Sequence, residues 1–356
     1  FYHNTGEGGI SRYHLEPGGD LVWQLGTGYF GCRAADGSFD VDQFAEKAAL
    51  PNVKMIEIKL SQGAKPGHGG ILPGAKVSEE IAEIRGVEAG KDVLSPPYHT
   101  AFSTPRGLLE FVARLRDVSG KPVGFKLCVG HRSEFLGICK AMRATGIVPD
   151  FITVDGGEGG TGAAPLEFSN SLGTPLTDGI VFVHNALEGF GLRQQIRIIA
   201  SGKIVTGFQI AQRIAAGADL CNAARGFMFA LGCIQALRCN SNECPVGVAT
   251  QNRHLMHGLV VTHKTERVAR YQEATVHAFL ETLGAAGLQH PDDLRPWHIQ
   301  RRTSPTEVQT YAEIYRYLKK GALLRGDVGE PWGRLLSMAS PDSFPPVVVP
   351  AAMTEQ

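Results

Sequence analysis

Three of the seven cysteines lie close together, as Cys233, Cys239 and Cys244 in the stretch CIQALRCNSNECPVG. Thiolates are the usual ligands of iron–sulfur clusters, and zinc also takes them when a fourth ligand is at hand. No further His or Cys follows until His254. Cys233 and Cys239 are six positions apart, about 600 degrees of rotation on an ideal helix, so a loop must gather them. An odd cysteine count in a chain with no secretory features speaks against a structural disulfide. Spacing alone leaves three readings: a three-thiolate cluster of three irons and four sulfides, a zinc clip, or unrelated thiols. Cys32, Cys128, Cys139 and Cys221 stand singly on apolar stretches and read as core thiols.

A second set of residues could bind anions or move protons. Lys126 interrupts the apolar run VGFKLCV, where an ammonium is costly unless paired or used; the plainer reading is an edge lysine reaching for water. Gln62, Lys65 and His68 lie in KLSQGAKPGHGGILPG, whose glycines hold the backbone close to something. GEGGTG at 157–162 matches a dinucleotide fingerprint, but Pro165 stands where the required helix should grow, so a loop closing over a cofactor or substrate is the better reading. IIASGKIVTG and LCNAARG carry Gly202, Lys203, Ala224, Arg225 and Gly226, and their position fits the phosphate-binding last two loops of a barrel; ordinary turn glycines are the alternative.

The elements that must position these residues recur along the chain. Short apolar strands ending in glycine-rich loops alternate with helical segments, the pattern of a parallel α/β sheet or barrel. Strands are expected in LVWQLGTGYFG, NVKMIEIKLSQG, PVGFKLCVG, DFITVDGGEGG, IRIIASGKI and DLCNAARG, and helices in TPRGLLEFVARLRDVSG, SEFLGICKAMRATG and TGFQIAQRIAAGA. Chemistry then gathers at the carboxyl ends of the strands. Beyond Thr262 two charged helices are expected, KTERVARYQEATVHAFLETLGAAG and PTEVQTYAEIYRYLKKGALL. The expected division is a barrel over 1–262, a helical extension over 263–330 and a flexible tail over 331–356.

Lys plus Arg and Asp plus Glu are 35 each, so no global charge draws the chain to nucleic acid or anionic membrane. The most apolar stretch, Ile214 to Leu237, is broken by Asp219, Asn222 and Arg225, which argues against a membrane span. A cytoplasmic protein is expected.

KLSQGAKPGHGGILPG, LSPPYHT, GGEGGTGAAP and GCIQALRCNSNECPVGVATQ together resemble the FMN-binding synthase domain of glutamate synthase, in its stand-alone form, over about residues 1 to 305. The resemblance implies a (β/α)8 TIM-type barrel with FMN and a [3Fe-4S] cluster. Electrons would pass from the cluster to the flavin and on as hydride to 2-iminoglutarate, formed from 2-oxoglutarate and ammonia, giving L-glutamate. Cys233, Cys239 and Cys244 then look like the cluster ligands. Lys126 is similar to the lysine that stabilises the reduced flavin, and Gly202, Lys203, Ala224, Arg225 and Gly226 look like the FMN phosphate end. Gln62, Lys65 and Glu7 are placed to meet the flavin or the substrate carboxylates.

Family members commonly carry Glu where this chain has His68, and a His-Asp pair where it has Gly157 and Glu158, so the acceptor pocket is expected to differ. The close rivals are an enzyme making N-methylglutamate from methylamine and glutamate, and a non-catalytic flavin and iron–sulfur subunit. The expected partners are an external electron donor, either ferredoxin or a reductase subunit, and a separate glutaminase subunit. FYHNTGEGG corresponds to the second barrel strand, so the barrel is expected to lack its first strand in this chain.

Overall fold

The computed structural model describes residues 1–160, 164, 165 and 167–344. Seven strands form one sheet: β1 (His3–Asn4), β2 (Leu21–Leu25), β3 (Val53–Lys59), β4 (Val123–Leu127), β5 (Phe151–Asp155), β6 (Arg197–Ser201) and β7 (Leu220–Asn222). They pair in chain order, and every pairing is parallel. At the two edges, Tyr2 Oη donates to Asn222 Oδ1 at 2.8 Å and the Phe1 and Phe227 rings stack with centroids 6.4 Å apart. The sheet therefore curls until its edges are a side chain apart. This is a (β/α)8 barrel short of one strand, as expected.

Alternation along each strand makes a dry outside and a polar bore. Trp23, Leu25, Ile56, Ile58, Phe125, Ile152, Val154, Ile198 and Ala200 are at most 1% exposed and share one core with the helices. Burying each large side chain contributes about 1.5–3 kcal/mol. The intervening residues turn inward. Val22, Phe151 and Ile199, with Tyr2 and Met55, fill the floor of the bore. Above the floor, Gln24 stands beside Glu57, Lys59 beside Lys126, and Asp155 beside Ser201.

The outer helices are α1 (Val41–Ala48), α2 (Glu79–Arg85), α3 (Pro105–Ser119), α4 (Arg132–Thr145), α5 (Leu176–Gly189), α6 (Gly207–Ala216), α7 (Arg225–Leu231) and α8 (Val261–Ala285). Their ends follow the sequence. Thr104 caps α3 by accepting from the Gly107 N–H, Pro105 opens it where no N–H is needed, and Gly120 ends it in the left-handed region at φ 64°. Between β3 and α3 runs a long strap. It contains an antiparallel hairpin, Ile71–Leu72 with Val93–Leu94, which encloses a turn at Gly74–Lys76 and α2.

Two expectations for the C-terminal region are corrected. The second charged helix, expected over 305–324, is not one helix: Gln300–Ser304 and Glu307–Thr310 form a hairpin, followed by short helices at Tyr311–Ile314 and Ala322–Arg325. Gly321, left-handed at φ 74°, breaks the run, and the Thr310–Glu313 capping box starts a new helix inside it. The expected flexible tail begins with a packed helix, Trp332–Met338, whose Trp332 stacks on Phe182 at 5.3 Å while Met338 and Ala339 are buried. The rest of that tail, 345–356, lies outside the described residues.

Candidate active site at the carboxyl ends of the strands

The polar bore is built from the floor upward. Glu57, 1% exposed, accepts from Gln24 Nε2 at 2.6 Å and Asn4 Nδ2 at 2.9 Å through Oε1, and from Thr153 Oγ1 at 2.5 Å through Oε2. One carboxylate thus ties β1, β2, β3 and β5 together, and its three donors compensate for its burial.

One layer higher, Lys59 Nζ contacts Glu7 Oε1 at 2.7 Å, and both side chains are largely buried. Lys126 stands beside Lys59 in register and acts on Glu7 electrostatically, as does Lys65. Burial alone would raise the Glu7 carboxyl, but Lys59, with Lys126 and Lys65 behind it, outweighs burial and holds it below its ordinary value. The Lys59 ammonium is lowered, because burial and the neighbouring lysines exceed the attraction of Glu7. Three ammonium groups around one carboxylate leave a surplus of positive charge, which suits an anionic guest.

Glu7, Lys59, Gln62, Lys65 and His68 line a common cavity of about 20 Å³. That is space for about one water. The Lys65 ammonium donates to Gly69 O at 3.3 Å, and His68 Nδ1 lies 2.7 Å from the same oxygen while its ring meets Phe168 edge-on. Leu60, Ser61, Gly67 and Pro97 also border a second, wider cavity of about 890 Å³.

His99 holds Lys59 from behind. The 5%-exposed imidazole lies between Tyr29 Oη at 3.0 Å and Lys59 O at 2.9 Å, and the Ala101 N–H donates to Tyr29 Oη. A carbonyl can only accept, so Nε2 carries the proton and Nδ1 accepts from the tyrosine hydroxyl. Burial pushes the imidazole down to about 4, so it is neutral near pH 7.

The glycine loops converge on the same end. Asp155 accepts from the Gly63 N–H at 2.8 Å and from Ser201 Oγ at 2.8 Å, joining the 61–70 loop to β5 and β6. A Cβ on Gly63 would stand 1.7 Å from Gly156 O, so only glycine fits there. Arg225 donates from Nη2 to Gly160 O at 2.8 Å, and Gly159 approaches Gly202. Gly202 and Gly226 are buried, while Lys203 and Ala224 are exposed beside them. Of the GEGGTG stretch, Thr161 and Gly162 lie outside the described residues.

Gly157 and Glu158 each have a structural role here. A Cβ at Gly157 would meet Gly173 O at 2.3 Å, so no histidine fits at that position. Glu158 accepts from the Leu176 N–H with both oxygens, at 3.1 and 2.9 Å, and serves as a cap for α5.

The three loop cysteines are all free thiols. Among the described residues no group of three His, Cys, Asp or Glu side chains is poised to hold a metal ion. Cys233 Sγ is approached by Arg225 Nη1 at 3.9 Å and by the Gln235 N–H at 3.5 Å. Burial raises the Cys244 thiol, but the N–H groups of Ala249, Val246, Val248 and Gly247 outweigh that and hold it below its ordinary value. Three thiols on one loop are the donor chemistry that an iron–sulfur cluster takes. Cys32, Cys128 and Cys139 are buried and Cys221 is partly buried; burial raises all four thiols.

Lys126 is half-buried at the open end of the bore, not fully buried as its apolar neighbours implied. Sequence reasoning missed Lys59, Glu57, Asp155 and His99. The first three carried a signal, because Glu57 and Lys59 alternate with Ile56 and Ile58, and Asp155 follows Thr153 at the same period.

Residues 1–289 match the family model for the conserved region in glutamate synthase. The chain belongs to the glutamate synthase family. It is 45% identical over 299 residues to the glutamate synthase large subunit-like protein YerD of Bacillus subtilis, covering 84% of this chain and 57% of that protein. It is 35% identical to an archaeal glutamate synthase [NADPH] of Methanocaldococcus jannaschii, over 83% of this chain and 55% of the relative. A ferredoxin-dependent glutamate synthase of Pyropia yezoensis is 36% identical over 69% of this chain and 16% of its own length. The chain thus spans little more than half of the first two relatives. No helix among the described residues is long and apolar enough to cross a membrane.

Proposed function

We propose that this member of the glutamate synthase family is an FMN- and iron–sulfur-dependent oxidoreductase that forms L-glutamate from 2-oxoglutarate and ammonia through 2-iminoglutarate. The observation that carries the reading is the surplus of positive charge around Glu7 at the carboxyl ends of the barrel strands, from Lys59, Lys126 and Lys65. A dicarboxylate is the guest such a site favours.

Lys126 and the glycine loops at 156–160 and 202 would hold the flavin, with Lys203 and Arg225 toward its phosphate. The chemistry a bound flavin supplies is hydride delivery to an imine carbon. Within that scheme Lys59 and Lys65 bind and orient the substrate carboxylates. Glu7 keeps Lys59 charged and aimed, His99 fixes the Lys59 carbonyl, and the 61–70 loop excludes water when closed. Cys233, Cys239 and Cys244 would be the cluster ligands in this reading; its support is their shared loop and the backbone N–H groups that lower the Cys244 thiol. The electron donor is a ferredoxin or a nicotinamide-linked reductase, and ammonia comes from solution or from a separate glutaminase subunit.

His68 on the cavity wall and the closed space at Gly157 make the acceptor the open point of this reading. The test is reoxidation of the dithionite-reduced full-length protein. Oxidation driven by 2-oxoglutarate with ammonia, yielding glutamate, supports the proposal. Formation of N-methylglutamate with release of ammonia from methylamine and glutamate, a redox-neutral exchange, assigns the rival activity, and neither product nor substrate-dependent reoxidation assigns a non-catalytic subunit.

A further inference from the structure

The cysteine loop departs from ordinary backbone at several points. Gln235, Leu237 and Asn242 have φ of 56°, 55° and 65°, the left-handed region that non-glycine residues rarely adopt. Ile234 and Leu237 are 67% and 59% exposed, so apolar packing does not hold these two in place. Strained, exposed backbone persists only where neighbouring structure fixes it.

Among the described residues, the side-chain hydrogen bonds that tie 234–249 to parts of the molecule outside 225–260 all end on one short turn. Lys76 Nζ donates to Cys239 O at 2.7 Å and to Ala249 O at 3.3 Å, and Asn242 Nδ2 donates to Ala75 O at 3.3 Å. The two carbonyls that Lys76 joins lie on either side of Cys244, so one ammonium clasps the loop across two of its three thiols.

The turn is fixed at its other end. The Gly74 N–H donates to Asp92 Oδ1 at 2.6 Å, and a Cβ on Gly74 would stand 2.3 Å from Gly90 O. The Ser95 N–H donates to Gly70 O at 2.8 Å, which connects the strap to the segment carrying Lys65 and His68. The same stretch of chain therefore borders the lysine cavity at one end and grips the cysteine loop at the other.

We propose that Lys76 is a positioning residue that clasps the cysteine loop to the strap and so sets where Cys239 and Cys244 stand relative to the lysine site. The proposal rests on the functional reading only for why that placement matters; the clasp itself is a property of the polypeptide. Its charge matters less than its donors, because both partners are carbonyl oxygens.

The test is amide hydrogen exchange of the full-length protein as isolated, read by mass spectrometry on the peptides covering 234–249. Lys76→Met should speed exchange there about tenfold, the local opening released by losing a charge-assisted hydrogen bond, while β4 and α3 keep their wild-type protection. Lys76→Arg, which keeps the donors, should stay within about twofold of wild type on the same reasoning. Lys91→Met, which removes an exposed lysine from the same strap, should leave the loop unchanged. Asp92→Ala provides a second route should Lys76→Met fail to fold, because freeing the far end of the turn should also speed exchange in 234–249. Wild-type protection of the loop in both Lys76→Met and Asp92→Ala, or equal acceleration in Lys91→Met, overturns the proposal. None of these rates depends on bound flavin or turnover, so the clasp and the glutamate synthase reading fail separately.

Discussion

The two faces of the barrel wall are made by the same strands and behave as different materials. Outward, Trp23, Ile56, Phe125, Ile152 and Ile198 are sealed under the helices at no detectable exposure. Inward, from the same segments, come Gln24, Glu57, Lys126, Thr153 and Asp155, whose positions are fixed by hydrogen bonds and charge. A period of two residues is enough to put a stability layer and a chemistry layer back to back. The lesson is that stability and reactivity here can be changed separately, and each of the following substitutions tests that separation.

The largest expected loss of stability is on the outer face. Phe125→Ala removes a fully buried ring and should cost about 3–5 kcal/mol, read as a drop in urea midpoint without a change in slope. A loss below about 1 kcal/mol would mean that the shell collapses to fill the space.

The next effect comes from pH. His99 titrates at about 4 when folded against 6.5 as its ordinary value. Between those values the unfolded chain binds the proton and the native one does not, so stability falls as pH drops from about 6.5 to about 4. The loss reaches about 3 kcal/mol from this residue, and His99→Gln should flatten the curve of stability against pH by that amount. An unchanged slope would show that the imidazole is protonated in the native state.

Thr153→Val is milder, because it removes one of three donors to Glu57. A loss of about 1–2 kcal/mol is expected in the same urea titration. The smallest change in stability is expected from Lys126→Met, a half-buried lysine with no ion-pair partner among the described residues that adds to the positive charge around Glu7. Its melting temperature should stay close to wild type while affinity for a dicarboxylate, measured calorimetrically, falls at least tenfold, about 1.4 kcal/mol of binding. If the melting temperature falls as far as in Phe125→Ala, the two faces are not separable.

How much of this was legible in the sequence follows from the same alternation. The strands announced themselves because their outward residues are apolar and their ends are glycines, and the lone Lys126 in an apolar run marked the wall that faces the site. Lys59 obeys the same rule inside the expected strand NVKMIEIKLSQG, but Lys54 and Glu57 are charged in the same strand and nothing sets it apart from them. The pairing of His99 with Tyr29 was not legible, since the hydrogen bond joins residues 70 positions apart, even though His99 lies in the LSPPYHT stretch. The C-terminal charged run misled because helix-forming residues continued across it, and only the Thr310 cap and Gly321 reveal the break. The clasp at Lys76 was equally hidden: it links a turn to carbonyls more than 160 residues away.

The central claim is that the polar bore seats a flavin and that the cysteine loop carries iron. The most direct test is the anaerobic visible spectrum of the full-length protein before and after dithionite, with FMN and iron counted on the same sample. The account predicts flavin bands over a broad shoulder, one FMN and about three irons per chain, and bleaching on reduction. A colourless protein, with zinc or no metal on the three cysteines, would contradict it.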